Sequence, residues 1–265
     1  TYLCLMKKTA IHYDLQKTTE IFADIAVTLF SNGANSTRTA RNLKRIAPAY
    51  HCDVEFYFSH SAIVISLEDL HSKDKFTITK SIPHYHVNYS IISKISILTW
   101  KIKNGEIPIE NIEQELTEIK TTGSYPEWIK ITFVSLATAA LAKLFDATYP
   151  EFAVCFLACA IGFLARKVFI TKKFNIYVCF LVGAFTSTSV VNIFRILGIT
   201  NFHAALSACV LWLIPGVPLI NGFLDIVSGY IINGWAKVAM GFMLIFMIAV
   251  GFVISLFIFG YGNTI

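Results

Sequence analysis

The sequence predicts a cytoplasmic α+β domain over residues 1–124 followed by an α-helical transmembrane domain of five spans over residues 125–265, the fourth span broken at Pro215-Gly216-Val217-Pro218. Three observations carry this expectation. The 265 residues are 55% hydrophobic and 15% charged, whereas soluble domains run at roughly 45–50% and about 25%. Residues 1–128 hold 14 Lys+Arg and 14 Asp+Glu, while residues 129–265 hold 8 basic and 3 acidic, so the whole +5 belongs to the second part. Eleven charges in 137 residues cannot clothe a soluble domain, and the positive balance reads as a topology signal rather than a nucleic-acid footprint.

In the first part, Ile11, Leu15, Thr18, Phe22, Ile25 and Leu29 recur at helical spacing over residues 9–30. Ser31-Asn32-Gly33-Ala34-Asn35 ends that helix, and Asn35 or Ser36 caps a second one through about Tyr50, with Arg38, Arg41, Lys44 and Arg45 on its exposed face. Three β-prone runs follow at Val54–Phe58, Ala62–Leu67 and Phe76–Ile82. Two more helices are expected, from about Asn88 to Lys103 and from Ile109 to Lys120, split by Asn104-Gly105 and Pro108. Thr121-Thr122-Gly123-Ser124-Tyr125-Pro126 then reads as a linker. Residues 1–8, with Lys7 and Lys8 after a short apolar stretch, do not read as a secretory signal.

Apolar runs in the second part fall at about 128–147, 151–170, 174–197, 202–232 and 235–259. A helix needs around 20 residues to cross the hydrocarbon core, so four are simple spans. The fourth is two half-length helices, Phe202–Ile214 and Leu219–Ile232, around the Pro-Gly-Val-Pro break. Lys130, Arg166, Lys167, Lys172, Lys173 and Lys237 lie at one set of span ends, against Lys143 and Arg195 at the other. That bias places residues 1–128 in the cytoplasm and the C-terminus outside. Cys155, Cys159, Cys179 and Cys209 lie in apolar runs, where a thiol packs as a small hydrophobe.

Irregular backbone at membrane depth is tolerated only when buried in protein or lining a water-filled cavity, and broken helices point to transporter binding sites. Pro215 and Gly216 are followed by Asn221 and, four residues on, by Asp225, the only acid in residues 152–265. An intramembrane carboxylate is a functional-site candidate by default; the plainer alternative is that Asp225 sits near the cytoplasmic end, solvated or paired with Lys237. The third span carries Thr186, Ser187, Ser189 and Asn192, which serve either as helix–helix glue or as the lining of a polar path. Gly222, Gly229, Gly234 and Gly241 read as packing positions. His12, His51, His60, His71, His84 and His86 gather in the first part, and His84-x-His86 on a strand would point to one side, yet no specific zinc spacing appears. No GxSxG elbow, phosphate-binding loop or HExxH motif occurs, so no metal, cofactor or catalytic residue is expected.

Gly33-Ala34-Asn35-Ser36-Thr37-Arg38 resembles the G-A-[ED]-T-x-R signature of the threonine/serine exporter family, with Asn35 in place of the acid and Thr39 in place of a Val. Pro215-Gly216, Asn221, Asp225, Gly229 and Gly234 are similar to that family's pattern in its fourth span, Lys237 standing where Arg is common, and Tyr125-Pro126-x-Trp128 resembles its membrane entry. The likeness covers nearly the whole chain. It implies a membrane subunit of the split, YjjP-like form, working with a separate YjjB-like membrane subunit, and a homo-oligomer is a further expectation. It also implies proton-motive-force-driven export, across the bacterial inner membrane, of threonine or serine or of C4-dicarboxylates such as succinate. Gly33, Ser36, Arg38, Pro215, Gly216, Asn221 and Asp225 carry over as candidates. Physically, backbone groups at the break would hold a carboxylate, Asp225 would bind a coupling proton or a substrate ammonium, and Arg38 would contact an anion or form a structural ion pair. Two rival readings are a membrane-anchored hydrolase built on the histidine-rich domain and a regulatory subunit gating a partner channel.

Overall fold

In a computed structural model of the chain, residues 14–83, 86–108, 111–121, 123, 125–198 and 203–260 are described. By internal packing the chain divides into two compact units, residues 1–123 with 220–237, and residues 124–219 with 238–265.

The first unit opens with α1 (Leu15–Ser31), capped by the Asp14 carboxylate, which accepts from the Gln16 N–H. Next come α2 (Ser36–Ile46) and a 3-10 turn, Ala47–Tyr50. The sequence predicts α2 to run on to Tyr50; Pro48 supplies no N–H for a continuing α-helix, and the chain tightens instead. Strands β1 (Cys52–Phe58), β2 (Ala62–Asp69) and β3 (Lys75–Ser81) form an antiparallel meander in the order β1-β2-β3. Val54 pairs with Leu67, and Ile65 pairs with Ile78. Alternation sends Val54, Phe58, Ile63, Ile65 and Leu67 into the core, beside Phe22, Ile25 and Leu29 of α1. Helix α3 (Tyr89–Lys103) is capped by the Asn88 side chain, and α4 (Ile112–Lys120) closes the layer with Ile112 and Leu116 buried. Strands and helices thus fall where the alternation and helical spacing place them. His12, His84, Ile109 and part of the linker lie outside the described residues. His86 is not on a strand, and among the described residues no three His, Cys, Asp or Glu gather to hold a metal ion.

The second unit contains α5 (Glu127–Lys143), α6 (Tyr149–Thr171) and α7 (Ile176–Ile196). A capping box starts α6: the Thr148 N–H donates to Glu151 Oε2 at 2.7 Å, and the Glu151 N–H donates to Thr148 Oγ1 at 3.5 Å. Small residues face one another in its core, with Ala139 and Ala142 of α5 buried beside Cys155 and Ala158 of α6. Glu127 binds both Lys130 and Lys167, so the start of α5 and the end of α6 lie together. Arg195 near the end of α7 donates to the Phe259 carbonyl, which joins the ends of α7 and α10 (Ile231–Ile258).

Among the described residues three helices, α6, α7 and α10, are long and apolar enough to cross a membrane. The count rises to four if the bent pair His203–Leu213 and Gly216–Val227, turned by 59°, is one span. The first apolar run forms the 17-residue α5, only about 26 Å long at 1.5 Å per residue. The break takes a different form from the sequence expectation. Its first half is a short helix, α8 (His203–Ala208), and a 3-10 turn (Leu211–Leu213). Of the tetrapeptide, only Pro215 lies outside a helix, because Gly216, Val217 and Pro218 make the first turn of α9 (Gly216–Val227). Proline is tolerated there, since the first N–H groups of a helix have no partner in the helix anyway.

Candidate functional site

The Gly33-to-Arg38 motif is a helix–turn–helix joint. Gly33, with φ at +95°, takes the left-handed conformation that ends α1. Its N–H donates to the Phe30 carbonyl, and the Ala34 N–H donates to Leu29. Asn35 then caps α2, its side-chain oxygen accepting from the Arg38 N–H at 2.8 Å. An amide serves this cap as well as a carboxylate would, so the joint needs no acid at this position. Ser36 follows as the first residue of α2, where the backbone N–H has no partner in the helix and the helix dipole favours an anion.

The anion is Asp225. The Ser36 N–H donates to Asp225 Oδ1 at 2.8 Å, and Ser36 Oγ donates to Oδ2 at 2.9 Å. Lys237 Nζ reaches the same Oδ2 at 2.7 Å, and Asn233 Nδ2 lies 3.2 Å from it and 2.6 Å from Ser36 Oγ. Asp225 is 0% exposed and Lys237 is 6%. Asn221, one turn before Asp225 on α9, donates to the Gly33 carbonyl at 2.8 Å. Both halves of the α1–α2 joint are therefore fastened to α9, one by amide and one by carboxylate.

The local sequence brings these groups round. Helix α9 ends as α1 does, the Gly229 N–H donating to Ile226 and the Tyr230 N–H to Asp225. Helix α10 then starts with Asn233 and Lys237 one turn apart, so both face back to Asp225. Gly234 lets the two helices touch: a Cβ there would sit 2.7 Å from the Gly222 carbonyl and 2.8 Å from the Ile226 nitrogen. The Tyr230 ring lies tilted against that of Phe58, with centroids 5.8 Å apart, and Lys237 lies 5.0 Å from the Phe30 ring. Of the two plain alternatives for Asp225, pairing with Lys237 is found, and solvation is not.

Gly33, Ser36, Asn221 and Asp225 are thus brought together. Arg38 turns elsewhere, donating to Ser96 Oγ at 3.4 Å. Pro215 and Gly216 make a poor anion cradle: the N–H groups of Gly216 and Leu219 go to the Ile214 and Pro215 carbonyls, and Pro218 has none. Thr186, Ser187, Ser189 and Asn192 make their contacts inside the second unit. Thr186 bonds back to the Val182 carbonyl, Ser187 Oγ accepts from Trp212 at 3.4 Å, and Ser189 and Asn192 meet Ser255 at 3.0 and 3.3 Å.

Asn233 is not among the residues the sequence singles out, whereas Lys237 is named there both for topology and as one alternative partner of Asp225. A signal was present, since Asp225 and Lys237 are the only Asp, Glu, Lys or Arg in residues 196–265. Arg166, also counted for topology, lies with its guanidinium 4.1 Å from the Phe180 ring and 5.8 Å from that of Trp212. Its Nε is buried without a hydrogen-bond partner, and no carboxylate is within ion-pair reach among the described residues.

Residues 20–259 match the family described as "Putative threonine/serine exporter" (ThrE). The chain is 24% identical over 247 residues to a Klebsiella aerogenes protein named "Probable succinate transporter subunit YjjP", an alignment covering 91% of this chain and 94% of that protein. It is 25% identical to the Escherichia coli K12 protein of the same name, covering 88% and 91%. It is 21% identical to a Mycobacterium tuberculosis "Probable threonine/serine exporter", covering 91% of this chain and 46% of that protein. No solved structure matches the chain. The family and these relatives all carry transporter names.

Proposed function

The chain belongs to the threonine/serine exporter family, and from that premise we propose that it is the membrane subunit of a proton-motive-force-driven exporter of small carboxylate-bearing metabolites, working with a YjjB-like second subunit in the bacterial inner membrane. The observation that carries this reading is the buried Asp225–Lys237 pair seated on the N-terminus of α2. An ion pair at such a place is costly, and breaking it by removing one partner costs about 3–5 kcal/mol. It is also a site that one proton rewrites.

With Asp225 ionised, its carboxylate occupies Lys237, Asn233 and both donors of Ser36. A zwitterionic amino acid offers an ammonium to Asp225 and a carboxylate to Lys237 and the Ser36 N–H, so it replaces the internal pair charge for charge. A proton on Asp225 removes the ammonium's partner, which gives the mutual exclusion that proton exchange requires. A C4-dicarboxylate engages only the basic half, namely Lys237, Asn233 and Ser36. Both substrate classes stay within the proposal, the relatives named for succinate favouring the second and the charge pattern of the pair favouring the first.

Five spans follow if α5 crosses where the bilayer thins to meet it, the accommodation open to a helix shorter than the hydrocarbon core. The junction of Glu127 with Lys167, the joined ends of α7 and α10, and the basic cluster Arg166, Lys167, Lys172 and Lys173 favour a cytoplasmic N-terminus and an external C-terminus. Efflux of labelled serine, threonine and succinate, compared between cells with and without the chain and its second subunit, tests the assignment. Retention of all three when both subunits are present would contradict it.

A further inference from the structure

Helices α2 and α3 together carry seven Lys or Arg and no Asp or Glu, within a stretch of sequence whose overall charge is balanced. Towards α4 the imbalance is answered, because Lys94 and Lys101 share a groove with Glu115 and Glu118. Towards α2 it is not. Arg38, Arg41 and Arg45, with Asn42 and Ser96, line a groove of about 370 Å³ that has no acidic residue in its wall. That volume falls in the range of about 300–1,000 Å³ usual for small-molecule sites.

Two of the three guanidiniums are set in place by neutral groups. Arg45 Nη1 donates to Thr99 Oγ1 at 2.8 Å, to Asn42 Oδ1 at 3.0 Å and to the Ser96 carbonyl at 3.3 Å, and its guanidinium lies 4.3 Å from the Trp100 ring centre. Asn42 and Thr99 are themselves fully buried and bonded to each other at 2.7 Å. Arg38 Nη2 donates to Ser96 Oγ at 3.4 Å, so both side chains converge on Ser96. These bonds orient the cations without neutralising them. Burial, then the charges of Arg41 and Arg38, holds Arg45 below the ordinary guanidinium value. Arg41 is exposed at the rim, and none of the three has a carboxylate within ion-pair reach among the described residues. A solvated basic face has no use for a buried Asn–Thr clamp on its arginine.

We propose that the α2–α3 groove binds a compact dianion bearing carboxylate or phosphate groups, with Arg38 and Arg45 forming the floor contacts and Arg41 closing over it. Planar guanidiniums match both oxyanion types through paired N–H donors. This site does not depend on the transport role of Asp225. The same α2 helix supplies Ser36 to Asp225 and its arginines to the groove, so an occupant there is placed to report cytosolic anion levels to the ion pair.

The test is isothermal titration of the full chain in detergent with succinate, with inorganic phosphate and with acetate, beside binding to nanodiscs of anionic or zwitterionic lipid. The expected result is saturable binding of succinate or phosphate, weaker acetate binding, and a tenfold or greater loss in Arg41→Ala and in Arg38→Gln. Binding confined to anionic-lipid nanodiscs and lost in the same variants supports the site with a lipid headgroup as the source of the phosphate. Asp225→Asn is expected to keep the Arg41-dependent component, which separates this site from the transport reading. No binding of any dianion or anionic lipid by the unaltered chain, or equal binding by Arg41→Ala with its melting temperature unchanged, overturns the proposal.

Discussion

Ser36 gives both its backbone N–H and its hydroxyl to the two carboxylate oxygens of Asp225, a residue 189 positions further along the chain. The hydroxyl also accepts from Asn233, so Ser36 relays between an amide donor and the carboxylate. Buried networks of this kind are strong when complete and costly when one member is lost.

Removing the relay alone should therefore be visible. Ser36→Ala keeps the N–H contact and loses the hydroxyl, leaving Asp225 and Asn233 each one partner short, at a cost of about 1–3 kcal/mol. Thermal unfolding in detergent should show a lower midpoint for this variant, with Ser36→Thr closer to the unaltered chain. An unchanged midpoint for Ser36→Ala would mean that the hydroxyl adds nothing to the N–H contact.

The ion pair should behave non-additively. Lys237→Met leaves a buried carboxylate and Asp225→Asn leaves a buried ammonium, each costing about 3–5 kcal/mol. The double variant removes both charges and should recover a large part of the loss, which a double-mutant cycle reads directly. Additive losses would mean that the two side chains do not interact in the folded protein.

The contact of α9 with α10 should tolerate nothing larger than hydrogen at residue 234. A Cβ there would fall 2.7–2.8 Å from backbone atoms of Gly222 and Ile226, and backbone cannot step aside as a flexible side chain can. Gly234→Ala should lower the melting temperature and weaken the Asp225–Lys237 contact with it, at a cost of about 1–3 kcal/mol. Gly216→Ala, where a Cβ would meet nothing within 4 Å, is the matched control.

Much of this was legible in the sequence, and the missing part has one cause. The three strands follow from alternation, the joint at Gly33 from its turn residues, and the candidacy of Asp225 from its isolation among apolar residues. Lys237 is close enough in sequence to be named as one alternative partner of Asp225, but position along the chain says nothing about which groups complete the site, so the contacts from Ser36 and Asn233 are not legible there. Pro218 was read as part of the break, although a proline in a first helical turn is compatible with the helix. The hydroxyls of α7 were left open between glue and path, and their hydrogen bonds to Trp212 and Ser255 are of the first kind.

In the first unit, Asp24 sets a pH dependence. Burial raises its carboxyl, but hydrogen bonds and charge from Lys80 and Lys120 outweigh this and hold it below the ordinary carboxylate value. A depressed folded value means that the stabilisation is complete above the unfolded value, near about 3.9, and fades as pH falls through the folded one. Asp24→Asn should thus lower the melting temperature at pH 7 and lose that difference below about pH 4. A difference that grows towards acid would contradict the assignment.

The measurement that bears most directly on the account is efflux driven by a pH gradient from proteoliposomes holding both subunits, with the Asp225→Asn/Lys237→Met double variant beside the unaltered protein. That variant is chosen because it leaves no unpaired buried charge, so its unfolding midpoint should stay near that of the unaltered protein. The account predicts a folded protein whose efflux no longer responds to the gradient. Gradient-driven efflux at the unaltered rate would contradict the central claim that Asp225 carries the proton.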